Sequence, residues 1–292
     1  MLKKFVNVLT CLAFAAVVQA QDSSLLNLLN DSASAKQRTV ITGTFKATQI
    51  VNTPTVEAPA KKNLQFMIMH RFGKVNQGGY EFFGLDNAVI RFALDYGITD
   101  RLAVGIGRSS YEKVLDASFK YKLLRQQEHG MPFSASLYGL IANTRLKYTE
   151  KNYLNAKYRT MYTTQLLLAR KMSSALSLQL SPSWVHFNLV PKPEDHNDVF
   201  AVGIGGRMKV TKRMSINAEY NYMPSGQLVT GDHFNSLSAG LDIETGGHVF
   251  QLIFTNSVGM IGPYYIAKTE GNWAKGDIYF GFNITRNFNF RK

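Results

Sequence analysis

Cysteine occurs once in the 292 residues, at Cys11. That position lies in a stretch read below as a removable leader, so the mature chain carries no thiol. A disulfide framework, a thiol nucleophile and a cysteine-held metal are thereby excluded. Acidic residues are scarce too: 20 Asp and Glu stand against 33 Lys and Arg, for a formal net charge of +13. Beyond the first twenty residues there is no long unbroken apolar run, which excludes a transmembrane helix from that part of the chain. No glycine-rich phosphate loop precedes a helical pattern, so nucleotide binding has no support. Yet 45% of the residues are hydrophobic. They are interleaved with polar ones rather than gathered into runs.

The opening "MLKKFVNVLTCLAFAAVVQA" has Lys3 and Lys4, then an apolar stretch, then the small Ala20 before Gln21. This predicts a secretory signal peptide over residues 1–20, with an apolar core too short for a membrane anchor. A lipidated cysteine would follow the apolar run, whereas Cys11 lies within it, so lipidation is rejected. An exported chain meets little nucleic acid. Its basic excess therefore points to lipid phosphates and anionic surface polysaccharide as neighbours, with no nucleic-acid partner. Residues 21–63 read as an N-terminal periplasmic arm. "SSLLNLLND" predicts a short amphipathic helix capped by Ser23 or Ser24, "SASAKQ" a polar linker, and "TVITGTFKATQIVNTPTVEAPAKKN", with Pro54 and Pro59, an extended arm rather than a regular strand.

From Leu64 the pattern changes to persistent alternation. In "NAVIRFALDYGITDRLAVGIG", from Asn87 to Gly107, apolar residues take every second position up to Ile98 and resume at Leu102, Val104 and Ile106. A period of two marks a strand with unlike faces. Similar sets begin at Leu64, Leu115, Phe133, Tyr158, Leu176, Phe200, Met214, Leu237, Phe250 and Ile278, giving about twelve strands of membrane-spanning length. Connections after even-numbered strands are compact ("TD", "RQQEHG", "KMSS", "TKR", "TGG"). Those after odd-numbered strands are mostly long. Aromatics sort with them: Phe72, Tyr158, Trp184, Tyr222 and Phe234 fall at the long-loop end, and Tyr96, Tyr121, Phe133 and Phe288 at the short-turn end. A soluble sandwich has no reason to sort loops in this way. The expectation is an all-β fold: a transmembrane antiparallel up-and-down β-barrel over residues 64–292, lodged in the outer membrane with both termini in the periplasm. Such a barrel meets the barrel-assembly machinery during biogenesis. Arg291 and Lys292 follow the closing "FGFNITRNFNF", whereas the last strand of such a barrel normally ends at an aromatic.

The segments "FKATQIVNTPTVEAPAKKNLQFMIMHRFG", "FFGLDNAVIRFALDYGITDRLAVGIGRS" and "FKYKLL" resemble an uncharacterised β-barrel family of Bacteroidetes-type bacteria, known only as a domain of unknown function. The similarity runs from about Phe45 to the C-terminus. Its most specific marks are His70-Arg71-Phe72-Gly73 and the block from Gly84 to Gly107. The resemblance implies an outer-membrane barrel and supplies no activity, cofactor or catalytic residue.

Inward positions are the complement of the apolar sets. They place Arg71, Arg91, Lys120, Arg159 and Arg207 in the lumen with Asp95, Glu219 and Asp242, and neutral Gln179 among them. Lys122, Lys209, Asp116, Glu244 and Asp277 belong to the same register. A strongly selective pore wants a ring of one sign. These signs nearly balance, which fits ion pairs filling a modest barrel or a narrow, weakly selective channel.

Other chemistry is less well supported. His70 and His186 fall outward near the long-loop rim, with Ser109 and Ser110 at the same end, but no motif sets a nucleophilic serine beside its base. Glu194, Asp195, His196 and Asp198, with His233 in a neighbouring loop, match no metal-site spacing. Tyr264, Tyr265, Trp273 and Lys275 offer a surface for a sugar or lipid headgroup, or are simply exposed loop residues. No catalytic, cofactor or metal site is expected. The leading expectation is passage or binding of a small polar solute through a mixed-charge lumen. The alternatives are a closed structural or partner-docking barrel and, behind it, a lipid-acting enzyme.

Overall fold

In β7 (Leu176–Phe187), Leu176, Leu178 and Leu180 are exposed while Ser177, Gln179, Ser181 and Ser183 are buried. A soluble strand buries its leucines; this one buries its polar side chains. The same inversion recurs around a closed, antiparallel barrel of twelve strands. These are β1 (Asn63–Lys74), β2 (Ala88–Gly97), β3 (Leu102–Ser109), β4 (Leu115–Leu124), β5 (Ser134–Asn143) and β6 (Thr160–Lys171). Beyond β7 come β8 (Asp198–Lys209), β9 (Met214–Tyr222), β10 (Ser236–Thr245), β11 (His248–Thr255) and β12 (Tyr279–Asn289). Each strand pairs with its sequence neighbours, and β12 closes on β1 from Asn63 opposite Asn289 to Arg71 opposite Gly281. Closure leaves no unpaired edge, which a sheet in lipid requires.

The computed structural model describes residues 39–147 and 154–290. The signal-peptide and short-helix readings fall outside the described residues; what is described from Val40 onward belongs to a single unit. Among the described residues no helix is long and apolar enough to cross a membrane, which says nothing about strands that do.

Loop lengths are sorted between the two barrel ends. Compact turns 98–101, 172–175, 210–213 and 246–247 lie at one end, and loops 75–87, 188–197, 223–235 and 256–278 at the other. Two connections break the sorting: 110–114 is short although it lies at the long-loop end, and 125–133, expected to be compact, is longer than that although it lies at the short-turn end. The lipid-facing register follows the period-two reading throughout, because a one-residue slip would put every apolar side chain into the lumen.

What fills the barrel differs from the sequence reading. Residues 44–58, expected in a periplasmic arm, lie inside the lumen. The chain enters beside the short turns, where the Ile41 amide donates to the Gln126 carbonyl (2.9 Å), and leaves there, where the Lys62 amide donates to Gly97 (2.8 Å). Between these points it forms a narrow hairpin. Gln49 bridges Pro54, and the amides of Ile50 and Thr55 donate to the carbonyls of Thr53 and Thr48, both at 2.9 Å. Phe45, Ile50, Val51 and Val56 pack on Leu167, Ala169 and Ile253 of the wall. Gly97 is required where the hairpin leaves, since a Cβ there would collide with the Ala60 carbonyl.

A second filler enters from the opposite end. Loop 256–278 folds inward and forms a short helix, α1 (Gly262–Ala267), every residue of which is buried. It packs against β6, β7 and β9. Its Tyr265 hydroxyl donates to Gln165 Oε1 at 3.2 Å and also interacts with Thr53 at the hairpin tip. The two fillers therefore meet in mid-lumen.

Adjacent residues in β7 test the two faces. Leu178→Arg puts a cation against lipid and should cost about 2–4 kcal/mol if it lies near the bilayer midplane, read as an earlier urea midpoint of the heat-modifiable folded band. Gln179→Arg should also destabilise, but by evicting the hairpin that Gln179 holds. Only the second substitution should raise ion conductance. Equal conductance in both variants would overturn the assignment of faces.

Candidate functional site

The site is the lumen wall where it grips the hairpin. β9 alternates Ser215, Asn217, Glu219 and Asn221 inward, all buried, and Glu219 comes level with the hairpin tip. Its carboxylate accepts three consecutive main-chain amides: Val51 (3.2 Å), Asn52 (2.9 Å) and Thr53 (3.0 Å). A run of amides aimed at one point is a natural anion nest, and here the anion is fixed to the wall. Across the lumen the buried Arg71 of β1 donates through Nη2 to Asn52 Oδ1 (2.9 Å) and through Nη1 to Asn283 Oδ1 (3.0 Å). The tip is thus held between an acid that takes its amides and a base that takes its side-chain carbonyl.

Gln179 holds the returning leg, accepting from the Val56 amide (3.0 Å) and donating to the Pro54 carbonyl (2.8 Å). Lys120 Nζ donates to the Glu57 carbonyl at 2.7 Å and to Thr48 O at 3.4 Å. Asp95 stands beside Lys120 and lines the same small lumen pocket as Thr48, Gln49 and Pro54. Near the short-turn mouth Arg207 pairs with Glu244 (2.8 Å), which also takes Lys46 of the hairpin base at 3.2 Å. Asp242 accepts from Asn217 and from Gln251 (2.8 Å), and Gln251 itself donates to the Ile50 carbonyl at 3.0 Å.

Arg71, Arg91, Asp95, Lys120, Gln179, Arg207, Glu219 and Asp242, expected to line the lumen, lie on the inward register of their strands. Arg159 does not. It precedes β6, in the loop, where its guanidinium donates to the Leu146 carbonyl at 2.8 Å; its parity was inward, but the strand had not yet begun. Asp277 likewise lies outside β12. Hydrogen bonds from Asn76 and Asn272, with Lys74 nearby, hold its carboxyl below the usual range. Arg91 does not reach Glu219; it pairs with Asp116. Periodicity could not single out Asn52, the residue both anchors share. The available signal was the resemblance itself, which already included the segment from Phe45.

The outlying candidates also resolve. Ser109 and Ser110 accept the amides of Tyr111 (3.1 Å) and Ile90 (2.9 Å), and His70 stacks on Phe282 with ring centroids 4.9 Å apart. Asp195 accepts the amides of Val229 (2.7 Å) and Thr230 (2.9 Å), clasping loop 188–197 to loop 223–235. Burial alone would raise its carboxyl, but hydrogen bonding from Thr230 and Val229 outweighs this and holds it down at about 2. Among the described residues no cluster of three potential metal ligands forms. Tyr264 and Tyr265, offered as a headgroup or sugar surface, are instead buried in the lumen; Trp273 stays in the loop and donates to the Leu237 carbonyl (2.9 Å).

Among solved structures the chain is similar to the NanC porin, with a TM-score of 0.48 at 8% identity over 78% of this chain and 100% of that one. The KdgM porin gives 0.46 at 8% identity, covering 78% of this chain and 99% of its own. An outer membrane channel from Pseudomonas putida F1 gives 0.44 at 13% identity, covering 80% and 97%. No curated protein matches the sequence. Residues 45–288, which span both the hairpin and the barrel around it, match one family model, and the chain belongs to that family, the membrane bound beta barrel domain DUF5777.

Proposed function

We propose that this chain is an outer-membrane channel for a small polar solute, closed at rest by residues 44–58 of its own sequence. One observation carries the reading: the wall behind the hairpin is built for water. Gln65, Gln165, Gln179, Asn217, Glu219, Asn221, Gln251 and Asn283 are all buried there. Buried polar groups are costly unless every one is matched, and a lumen that takes up water when it opens matches them. Here the match is incomplete. Arg71 Nε, Ser215 Oγ, Asn217 Oδ1, Asn221 Oδ1, Ser236 Oγ and Thr285 Oγ1 have no hydrogen-bond partner among the described residues, and water or a polar solute would satisfy them. The hairpin is held mainly by hydrogen bonds, which water can replace when it leaves. Its two ends sit at the short-turn mouth, so it can withdraw without passing through the barrel.

The inward helix α1 favours a second reading, a barrel permanently closed that serves as scaffold or docking partner. Planar-bilayer recording separates the two. Wild type should conduct in rare events, and deletion of residues 40–60 should give steady current of weak ion selectivity, because the exposed wall carries both signs. A silent deletion variant that still shows the heat-modifiable folded band would overturn the channel reading in favour of the closed barrel. Turnover of phospholipid in detergent by the purified protein would instead support an enzyme.

A further inference from the structure

On the lipid-facing side, bulky residues give way between β4 and β7 to a hollow. Its floor is Ala117, Gly139 and Thr164, with Gly139 directly opposite Thr164 and Phe119 opposite Gly139. The glycine is needed, since a Cβ there would run into the Phe119 ring, which lies over it. The hollow measures about 740 Å³, within the ~300–1,000 Å³ range of sites that hold a small ligand. One end reaches mid-wall; the other reaches the long-loop rim.

That rim end is polar and fixed. Asp198 Oδ1 accepts from Trp184 Nε1 (2.9 Å) and meets His186 Nδ1 (2.8 Å). His186 Nε2 meets Asn188 Oδ1 at 3.1 Å, and the Asn188 amide nitrogen donates to the Lys157 carbonyl at 2.7 Å, which fixes which end of the amide faces the ring. Trp184 and His186 are therefore held rigid at the depth where aromatic side chains meet lipid headgroups. The same bond ties them to the β5–β6 loop, which supplies exposed Arg145, Lys147 and Lys157. The described residues of that loop, 144–147 and 154–159, hold four Lys and Arg, at positions 145, 147, 157 and 159, and no Asp or Glu.

We infer that this face binds an anionic phospholipid. One acyl chain lies in the hollow against the Phe119 ring and Thr164, and the phosphate sits at the rim beneath the basic loop. The apolar floor alone would accept any lipid chain. The charge above it selects a net-negative headgroup over a zwitterionic one. The inference does not depend on whether the lumen conducts.

Trp184 and Trp273 are the two tryptophans of the chain, so Trp273→Phe leaves a reporter at the rim of the hollow. This variant would be reconstituted in phosphatidylcholine vesicles holding a small fraction of dibrominated phosphatidylglycerol, or the same fraction of dibrominated phosphatidylcholine. The brominated phosphatidylglycerol should quench Trp184 several-fold more strongly. The combined variant R145Q/K147Q/K157Q should abolish the difference, and Thr164→Phe, which fills the hollow, should weaken quenching by both lipids. Equal quenching by the two lipids in the reporter protein would overturn the inference. So would a preference that survives loss of the three cations. Native mass spectrometry of the unmodified protein with the two lipids mixed checks the same preference without any substitution, and equal adducts would overturn it as well.

Discussion

Glu219→Ala should open the barrel. The carboxylate takes three successive hairpin amides at 2.9–3.2 Å, and hydrogen bonds to a charged group contribute about 1.5–3 kcal/mol each. The cost of burying the carboxylate offsets much of that sum, leaving about 3 kcal/mol in favour of the docked state. Removing it should raise the withdrawn population about 100-fold, at 1.4 kcal/mol per tenfold change. The substitution also leaves the buried Arg71 without the one carboxylate whose field it feels, which loosens the tip further. Single-channel recording should show open probability rising steeply while the barrel keeps its folded band. Glu219→Gln should fall between, since it keeps one acceptor oxygen but turns an amide donor toward the hairpin's own N–H groups. Wild-type current from Glu219→Ala would show that the hairpin is not the gate.

Arg91→Ala should do the opposite, weakening the barrel without opening it. Arg91 of β2 and Asp116 of β4 form a two-pronged pair across the inner face of β3, Nη2 to Oδ1 at 2.6 Å and Nε to Oδ2 at 3.1 Å, both side chains almost fully enclosed. Deleting the base leaves an uncompensated carboxylate in the wall, a loss that typically costs about 3–5 kcal/mol. The hairpin stays latched by Glu219, Arg71 and Gln179, so current should remain at the wild-type level. Adding Asp116→Asn should recover part of the loss, because the stranded charge is then gone. Equilibrium unfolding of the single and double variants measures both effects. A melting curve unchanged by Arg91→Ala would remove the pair from the account of stability, and a large current from the same variant would make Arg91 part of the gate.

The two variants separate what holds the wall from what closes it, and the sequence distinguished these poorly. It placed Arg91 and Glu219 on the same inward face, which they share, without a partner for either. The structure gives Glu219 to the hairpin and Arg91 to Asp116 two strands along. Parity along a strand decides which face a side chain occupies; it carries no information about which inward group lies opposite once twelve strands have closed.

The outer surface was legible for a simple reason. Lipid imposes one rule on every strand, apolar outward at every second residue, and the rule is local: Phe92, Leu178 and Ile204 each reveal their face from two neighbours on either side. Sorted loop lengths and aromatic rims then give the barrel its direction. The interior obeys no local rule. Segment 44–58 has neither the alternation of a strand nor the period of a helix, because beyond the few bonds that close its own hairpin its hydrogen bonds go to Glu219, Gln179, Arg71 and Gln251 of the wall. In the sequence such a segment is indistinguishable from a solvated arm. Tyr264 and Tyr265 are hidden for the same reason, as loop aromatics whose burial depends on the loop turning inward. The sequence alone determined the barrel, its lipid face and its polar lumen; only tertiary structure decided that the lumen is filled by the chain's own hairpin and helix, because that choice rests on contacts between residues a hundred or more positions apart.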